Sequence, residues 1–412
     1  MRGVKLNRKT LFITGTLLLI TYLGVWVRLS SLNTPTVLDY DPWWFYRYAE
    51  MILKNDLKPP VWDYQSFYPP GRPINKFIGW PYTIIFFYKI FQLFEANITL
   101  MKAAILSPLI IVALIPIPAY LLGKQLSNEI GGIVTALFAV LAPSFIGVSM
   151  AGYCDTDAPI VFYFFLSILS TLYCLKKRTI PSILFAILSN FLFIFNWGGG
   201  WIVLILFTTF LVALPIFRVI ENFFHSWKLK LDIKPFLPEV RSIFPPLIAV
   251  ILITNLLGYF FFQTTEFHSL LGGLSFTGLV GTPLLVNRSV AELQPINVFS
   301  REGFYAIALR VGFLPTFLTL FGLPFLILYK LWKKEKISIY EIFFFLFAFS
   351  MFYLISRGVR FSLQFSVAAA MSSGYVLGNI VSYFRRIDFL KNEVVRATSF
   401  GVLALLFLQF VS

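Results

Sequence analysis

The sequence predicts an all-α fold, a polytopic membrane protein with about eleven transmembrane helices. Hydrophobic residues make up 58% and aromatic residues 18% of the 412-residue chain, which is too apolar for a water-soluble globular domain. Apolar runs of about 20 residues, the length of one bilayer crossing, recur along the chain. A β-barrel would instead show short segments of alternating polarity. We therefore expect a helical bundle surrounded by membrane lipid.

Eleven apolar runs are candidate spans. They cover residues 11–29, 103–123, 130–150, 158–175, 180–196, 199–217, 244–263, 310–330, 338–356, 362–383 and 397–411. A further apolar stretch at 78–95 is interrupted by Lys89. The distribution of charge decides how that stretch is interpreted.

The basic residues predict the orientation of the chain in the membrane. Four of them precede the first span and place the N-terminus in the cytoplasm: Arg2, Lys5, Arg8 and Lys9. If 78–95 lies along the interface as a helix and does not cross, the later basic clusters also fall on the cytoplasmic side. The C-terminus is then external, as are three loops: 30–102, 151–157 and 264–303. Because this pattern accounts for the net charge of +15, we expect no nucleic-acid binding.

Four acidic residues stand beside the apolar spans, all in the predicted external loops: Asp41, Asp155, Asp157 and Glu292. A carboxylate next to hydrocarbon is costly to keep charged, so the presence of each of these acids requires a structural or functional explanation. Asp41 and Asp157 can each cap a helix that begins at the residues that follow, and Glu292 can be a solvated surface charge. Together, oxygen ligands from separate loops on one side of the membrane favour a magnesium or manganese site.

Two arginines, Arg357 and Arg360, lie at the external end of a span, where the positive-inside rule predicts no basic cluster. They can reach lipid head groups along their aliphatic stems. Alternatively, their planar guanidinium groups suit a phosphate or pyrophosphate. An acidic metal site beside an arginine pair predicts a sugar or phosphoryl donor on a lipid carrier.

Five short motifs along the chain contain these residues or lie between them. They are Asp41-Pro42-Trp43-Trp44 with Arg47, Gly152-Tyr153-Cys154-Asp155-Thr156-Asp157, Asn196-Trp197-Gly198-Gly199-Gly200-Trp201, Ser289-Val290-Ala291-Glu292-Leu293-Gln294-Pro295 and Val359-Arg360-Phe361. In this order they resemble the catalytic subunit of oligosaccharyltransferase, the membrane enzyme of protein N-glycosylation, in its archaeal type.

The resemblance implies a GT-C-type glycosyltransferase fold, with residues 1–412 as its transmembrane catalytic domain. It implies that a glycan moves from a polyprenyl (dolichyl) phosphate or pyrophosphate carrier to the asparagine amide of an Asn-x-Ser/Thr acceptor polypeptide. It also implies that loop 264–303 orders over the acceptor peptide.

Each site residue takes a role from the same resemblance. Asp41, Asp155 and Glu292 are expected to hold Mg²⁺ or Mn²⁺. Asp41 and Glu292 are also expected to hydrogen-bond the acceptor amide, with Asp157 supporting the site. Arg360, together with Arg357, is expected to bind the phosphate of the carrier.

The chain departs from the family pattern in two respects. Family members have thirteen spans, against eleven here, and a soluble C-terminal domain whose W-W-D-Y-G motif reads the acceptor Ser/Thr. This chain ends at Ser412 without that domain, so we expect that the chain is truncated, that a separate partner supplies the domain, or that acceptor selection differs. Two alternatives stay open: another polyprenyl-phosphate-sugar-dependent GT-C glycosyltransferase, and a non-catalytic or transport subunit.

Overall fold

A computed structural model describes residues 8–74, 77–226, 236–263 and 294–384 of the protein. Within these ranges the chain is helical apart from its connections and one hairpin. The helices are α1 Arg8–Trp26, α2 Tyr40–Lys54, α3 Gly79–Gln92, α4 Leu100–Leu114, α5 Pro116–Leu126, α6 Glu129–Leu141, α7 Pro143–Gly147, α8 Asp157–Lys177, α9 Ile180–Asn196, α10 Trp201–Ser226, α11 Leu237–Phe262, α12 Arg301–Val311, α13 Phe313–Phe317, α14 Leu323–Trp332, α15 Ile339–Arg357 and α16 Ser362–Phe384. The hairpin pairs β1 (Trp62–Asp63) antiparallel with β2 (Arg72–Pro73).

The helical membrane fold expected from the sequence is confirmed. Eight of the described helices are long and apolar enough to cross a bilayer, and α6 and α9 are shorter apolar helices. Two of the eight crossings are interrupted, one between α4 and α5 and one by a π-helical turn at Leu318–Gly322 before α14. The count of eleven stays a prediction, since the span at 397–411 lies outside the described residues.

The predicted external loop 30–102 contains more secondary structure than its sequence indicated. Helix α2 and the hairpin lie in it, and α3 occupies the stretch predicted to lie along the interface. The 14 residues of α3 extend about 21 Å, less than the roughly 30 Å hydrocarbon core, and the helix packs against α2 and α4. Its interfacial position remains a prediction.

Several helix boundaries differ from those expected. The span expected at 130–150 ends at Leu141, because Pro143 begins the separate short helix α7. At two further boundaries, charged residues had indicated a loop. The span expected at 310–330 is preceded by a separate helix, α12, whose Arg301 and Glu302 gave its start the composition of a loop, and Arg310 belongs to this helix and not to the span. The cytoplasmic loop expected at 218–243 is helical up to Ser226 and again from Leu237.

Helices α6 and α16 cross at glycines, which lets their backbones approach closely. A Cβ built on Gly131 would overlap the Ser127 hydroxyl and lie 2.6 Å from the carbonyl oxygen of Gly374. Next to this crossing, the Asn128 amide donates to the Gly378 carbonyl over 2.6 Å and to the Ser382 hydroxyl over 2.8 Å.

Gly131→Ala is expected to lower the free energy of unfolding by about 1–3 kcal/mol, because the added methyl group must push two backbones apart. The measurement is thermal unfolding of the detergent-solubilised protein. Gly15→Ala is the matched control, because a Cβ there meets nothing within 4 Å. Equal unfolding midpoints for the two variants would contradict the close crossing.

Candidate active site

A cavity of about 1090 Å³ lies where α2, the β-hairpin, α8, α12 and α16 come together. Asp41, Asp155 and Asp157 all line it, so the structure brings three of the four predicted acids to one place. The fourth, Glu292, lies outside the described residues. The volume of this cavity exceeds that of most small-molecule sites, which suits a ligand larger than a single sugar.

Asp41 lies in the first turn of α2 and is not the cap of that helix. Asp39, the residue before the helix begins at Tyr40, is the N-cap, and its carboxylate accepts a hydrogen bond from the Tyr40 amide over 2.7 Å. The alternative in which Asp41 caps a helix beginning at Pro42 is therefore wrong. The exposed Asp41 carboxylate is available to the cavity instead.

Asp157 is the first residue of α8, so the alternative in which it caps this helix is also wrong. The N-cap position is held by Thr156, which makes no side-chain capping bond. The Thr156 amide and hydroxyl instead donate to a carboxylate oxygen of Asp155. These bonds fix Asp155 beside the start of α8.

The loop before Asp155 is held by three neighbouring segments. Gly152 donates its amide to the Ile105 carbonyl of α4 over 2.9 Å, and its carbonyl accepts from the Leu38 amide over 2.8 Å. The Trp80 indole donates to the Cys154 carbonyl over 3.1 Å. Gly152 has a φ of 86°, a conformation that side chains disfavour, which explains why glycine stands here. The bond to Leu38 ties this loop to the segment that leads into Asp41.

The acids repel one another across the cavity. The pKa of the Asp155 carboxyl is raised, first by burial and then by the negative charges of Asp41 and Asp39. The pKa of the Tyr153 hydroxyl is raised by burial and by the surrounding aspartates. Asp41 and Asp155 take part in no ion pair with any described residue. A bound cation would remove this repulsion, so the chemistry of the acids fits a metal ion.

The described residues alone do not complete a metal site, because they contain no group of three or more His, Cys, Asp and Glu side chains able to hold a metal. Asp41 and Asp155 are two of the three ligands that the sequence predicts. The third, Glu292, lies in residues that the structure does not describe.

Arginines face these acids from other walls of the cavity. Arg360 lies in a short 3₁₀ turn, Val359–Phe361, between α15 and α16, and lines the cavity together with Arg72 and Arg310. Of the predicted pair, Arg360 lines this cavity, whereas Arg357 does not and donates to the Tyr353 hydroxyl over 3.1 Å. The phosphate-binding hypothesis is therefore kept for Arg360.

The sequence reasoning missed Arg72 and Arg310. The Arg72 guanidinium lies between the Trp44 and Phe67 rings, 5.2 and 5.0 Å from their centres. In the sequence, Arg72 directly follows a Pro-Gly turn and lies close to aromatic residues, and this pattern could have marked it as a candidate site residue. Arg310 was assigned to the start of a span, whereas the charges of its segment mark the amphipathic helix α12.

Three buried polar atoms on the cavity wall have no hydrogen-bond partner in the described part of the chain. They are Trp44 Nε1, Ser144 Oγ and Gln364 Oε1. Buried polar atoms of this kind are usually satisfied by an ordered water or by a neighbouring group. Trp197, from the tryptophan-glycine motif, also lines the cavity.

The fold and site together define a multi-pass membrane protein with an acidic, arginine-lined cavity at the ends of its helices. The chain belongs to the STT3 family of oligosaccharyl transferases: the family model for "Oligosaccharyl transferase STT3, N-terminal" matches residues 23–412.

Similar proteins include curated relatives from archaea and eukaryotes. A dolichyl-phosphooligosaccharide-protein glycotransferase of Methanococcus voltae is 25% identical over 199 residues, which are 44% of this chain and 22% of that protein. A dolichyl-diphosphooligosaccharide–protein glycosyltransferase subunit STT3B of Oryza sativa subsp. japonica is 22% identical over 226 residues, 52% of this chain and 31% of that protein. The matched regions thus span less than a third of each relative.

Solved structures of the archaeal oligosaccharyltransferase AglB from Archaeoglobus fulgidus share the fold, which confirms the GT-C-type architecture. The complex with an inhibitory peptide and a dolichol-phosphate aligns with a TM-score of 0.71 at 19% identity, over 96% of this chain and 54% of that one. The complex with Zn and sulfate aligns with a TM-score of 0.63 at 18% identity, over 94% and 51%. This chain spans about half the length of these structures.

Proposed function

We propose that the protein is an oligosaccharyltransferase catalytic subunit. It transfers a glycan from a polyprenyl (dolichyl) phosphate or pyrophosphate to the asparagine amide of an Asn-x-Ser/Thr acceptor. The observation that carries this proposal is that Asp41, Asp155 and Arg360 line one cavity. Solved relatives support it, since one is bound to a dolichol-phosphate and another is tethered to a peptide containing an NVT sequon.

A divalent cation, Mg²⁺ or Mn²⁺, is proposed at Asp41, Asp155 and Glu292. The raised pKa of Asp155 and the relative solved with Zn and sulfate support it. When bound, such an ion offsets negative charge that develops on the phosphate of the departing carrier.

Different side chains of the protein act on the acceptor and on the donor. Carboxylates of Asp41 and Glu292 accept hydrogen bonds from the acceptor amide and aim its nitrogen at the anomeric carbon. A carbon–nitrogen bond forms there while the bond to the carrier phosphate oxygen breaks, and that oxygen leaves with the electron pair. The amide loses one proton to a carboxylate. Arg360 donates hydrogen bonds to the leaving phosphate, and Asp157 supports the acidic wall.

The proposed orientation puts the N-terminus in the cytoplasm and the cavity and C-terminus on the external side. Helix α8 supports this, because it begins at the cavity with Asp157 and, at a length of 21 residues, ends with Lys176 and Lys177 in its last turn. Lys124 similarly lies in the last turn of α5.

Transfer of glycan to a fluorescent Asn-x-Thr peptide tests the function. Arg360→Ala is expected to lower kcat/KM for the lipid-linked donor by about 10²-fold or more, because the leaving phosphate loses its hydrogen bonds. Arg360→Lys should recover only part of the loss, since lysine keeps the charge without the planar fork. Arg357→Ala, three residues away and bonded to Tyr353, is the matched control and should have a much smaller effect.

Two results would contradict these proposals. Equal losses for Arg357→Ala and Arg360→Ala would remove the assignment of Arg360 to the phosphate. A parent protein that modifies a peptide with Gln in place of Asn, or transfers only to a non-peptide acceptor, would favour another polyprenyl-phosphate-sugar-dependent glycosyltransferase.

A further inference from the structure

A second cavity of about 520 Å³ lies beside the first, between one face of α2 and the segment that follows β1. We call it the aromatic groove, and the residues that define it are Trp43, Tyr46, Arg47, Glu50, Gln65 and Ser66. The α2 residues recur every three or four positions, so they share one side of that helix. None of the roles assigned to the first cavity involves this groove.

The ionic groups of the groove already have partners. Arg47 forms an ion pair with Asp63 and donates to the Gln65 side-chain oxygen over 2.7 Å and to the Ser66 hydroxyl over 3.1 Å. Glu50 pairs with Lys54 over 3.0 Å. The groove is therefore close to neutral while still offering hydroxyl, amide and carboxylate groups. Such a surface suits a ligand with many neutral hydroxyl groups better than an anion.

Trp43 gives the groove an exposed aromatic surface, with 43% of the residue accessible. Its ring meets that of Tyr46 edge to face, with centres 5.8 Å apart and an interplanar angle of 89°, which holds its orientation. The charged side chains of Arg47 and Glu50 line the same groove, a setting that suits a polar ligand better than lipid hydrocarbon. A flat apolar ring bordered by polar groups matches a sugar, whose C–H face is apolar and whose rim carries hydroxyls.

Trp44 connects the groove to the active-site cavity, because it lines both. Its buried indole N–H has no hydrogen-bond partner in the parts of the chain that the structure describes. The shared Trp44 side chain makes the two cavities neighbours, so a ligand in the main cavity can extend into the groove.

We propose that the aromatic groove is a binding subsite for the outer, neutral sugars of the lipid-linked glycan, with Trp43 as its stacking platform. This inference rests on the proposed function, because the first sugar and its phosphate must occupy the main cavity. The subsite favours donors with several sugars over donors with one.

The test compares two donors in the peptide-transfer assay: the lipid-linked glycan extracted from the source organism, and the same donor trimmed enzymatically to its first sugar. Trp43→Ala should lower the ratio of kcat/KM for the long donor to that for the trimmed donor by about tenfold, the size of one lost aromatic contact. Trp43→Phe keeps a ring and should recover much of the ratio. Trp332→Ala is the matched control, since Trp332 is 71% exposed at the end of α14 and lines neither cavity.

Several outcomes would overturn the subsite. One is an equal loss for both donors, which would make Trp43 a structural residue. Another is a change confined to the KM of the peptide, which would assign the groove to the acceptor. If the parent transfers neither donor, the proposed function itself fails. If the parent transfers both and the ratio is unchanged in Trp43→Ala, only the subsite fails.

Discussion

Replacing Asp41 by asparagine is expected to lower the rate of glycan transfer to an Asn-x-Thr peptide by about 10²- to 10³-fold. The variant keeps the side-chain shape but removes a negative charge that faces Asp155 across the cavity. Both proposed roles of Asp41, holding the cation and accepting from the acceptor amide, depend on that charge. The measurement is the initial rate of transfer at saturating donor and peptide, over a series of Mn²⁺ concentrations.

The cation series separates the two roles. If Asp41 is a ligand, the variant needs more Mn²⁺ to reach its own maximal rate, whereas Arg360→Ala keeps the cation requirement of the parent. Asp56→Asn is the matched control, because Asp56 is exposed just after α2 and lines neither described cavity. A normal rate in Asp41→Asn, or an equal loss in Asp56→Asn, would remove Asp41 from the site.

The largest expected effect on stability comes from Arg218, which has no exposed surface. Its guanidinium donates two bonds of 2.8 Å to the Glu239 carboxylate and others to Glu221 and to the Ile337 carbonyl. Glu221 in turn accepts from the Ile337 amide over 2.7 Å. The network joins α10, α11 and the turn before α15.

Arg218→Leu should lower the free energy of unfolding by about 3–5 kcal/mol, because it leaves carboxylates in the interior without a counter-charge. Thermal unfolding in detergent measures this. Arg241→Leu, at an exposed position on α11, is the matched control. Adding Glu221→Gln and Glu239→Gln to Arg218→Leu should restore much of the loss by removing the unpaired charges. No recovery in the triple variant would show that packing, and not charge, dominates.

The sequence was sufficient for the helical membrane fold and for most of the acidic wall. The length of the apolar runs sets the spans, and Asp41 and Asp155 could be placed together because counting crossings assigns their loops to one side of the membrane. The positions of the spans and the shared side of the two acids follow from the length and charge of segments. Neither depends on how side chains pack, so both could be predicted from the sequence.

The arginine side of the cavity could not be predicted in the same way. Whether Arg357 or Arg360 reaches the cavity depends on the 3₁₀ turn at Val359–Phe361, which three residues of sequence do not specify. Arg72 is placed by a hairpin whose strands have two residues each, too short to show alternation. The end of α10 was predicted to be a loop because Arg218 is charged. The sequence does not show that Glu221 and Glu239 pair with this arginine and allow it to be buried in a helix.

The hydrogen bond between Leu38 and Gly152 has a thermodynamic consequence. It joins the segment that leads into Asp41 to the loop that leads into Asp155, so this part of the cavity wall is held together before any ligand binds. Binding there loses little conformational entropy, and more of the gross attraction remains as net affinity. Adjustment to ligands of different size is therefore left to Arg310 and Arg360, which line the cavity from separate elements, helix α12 and the turn Val359–Phe361.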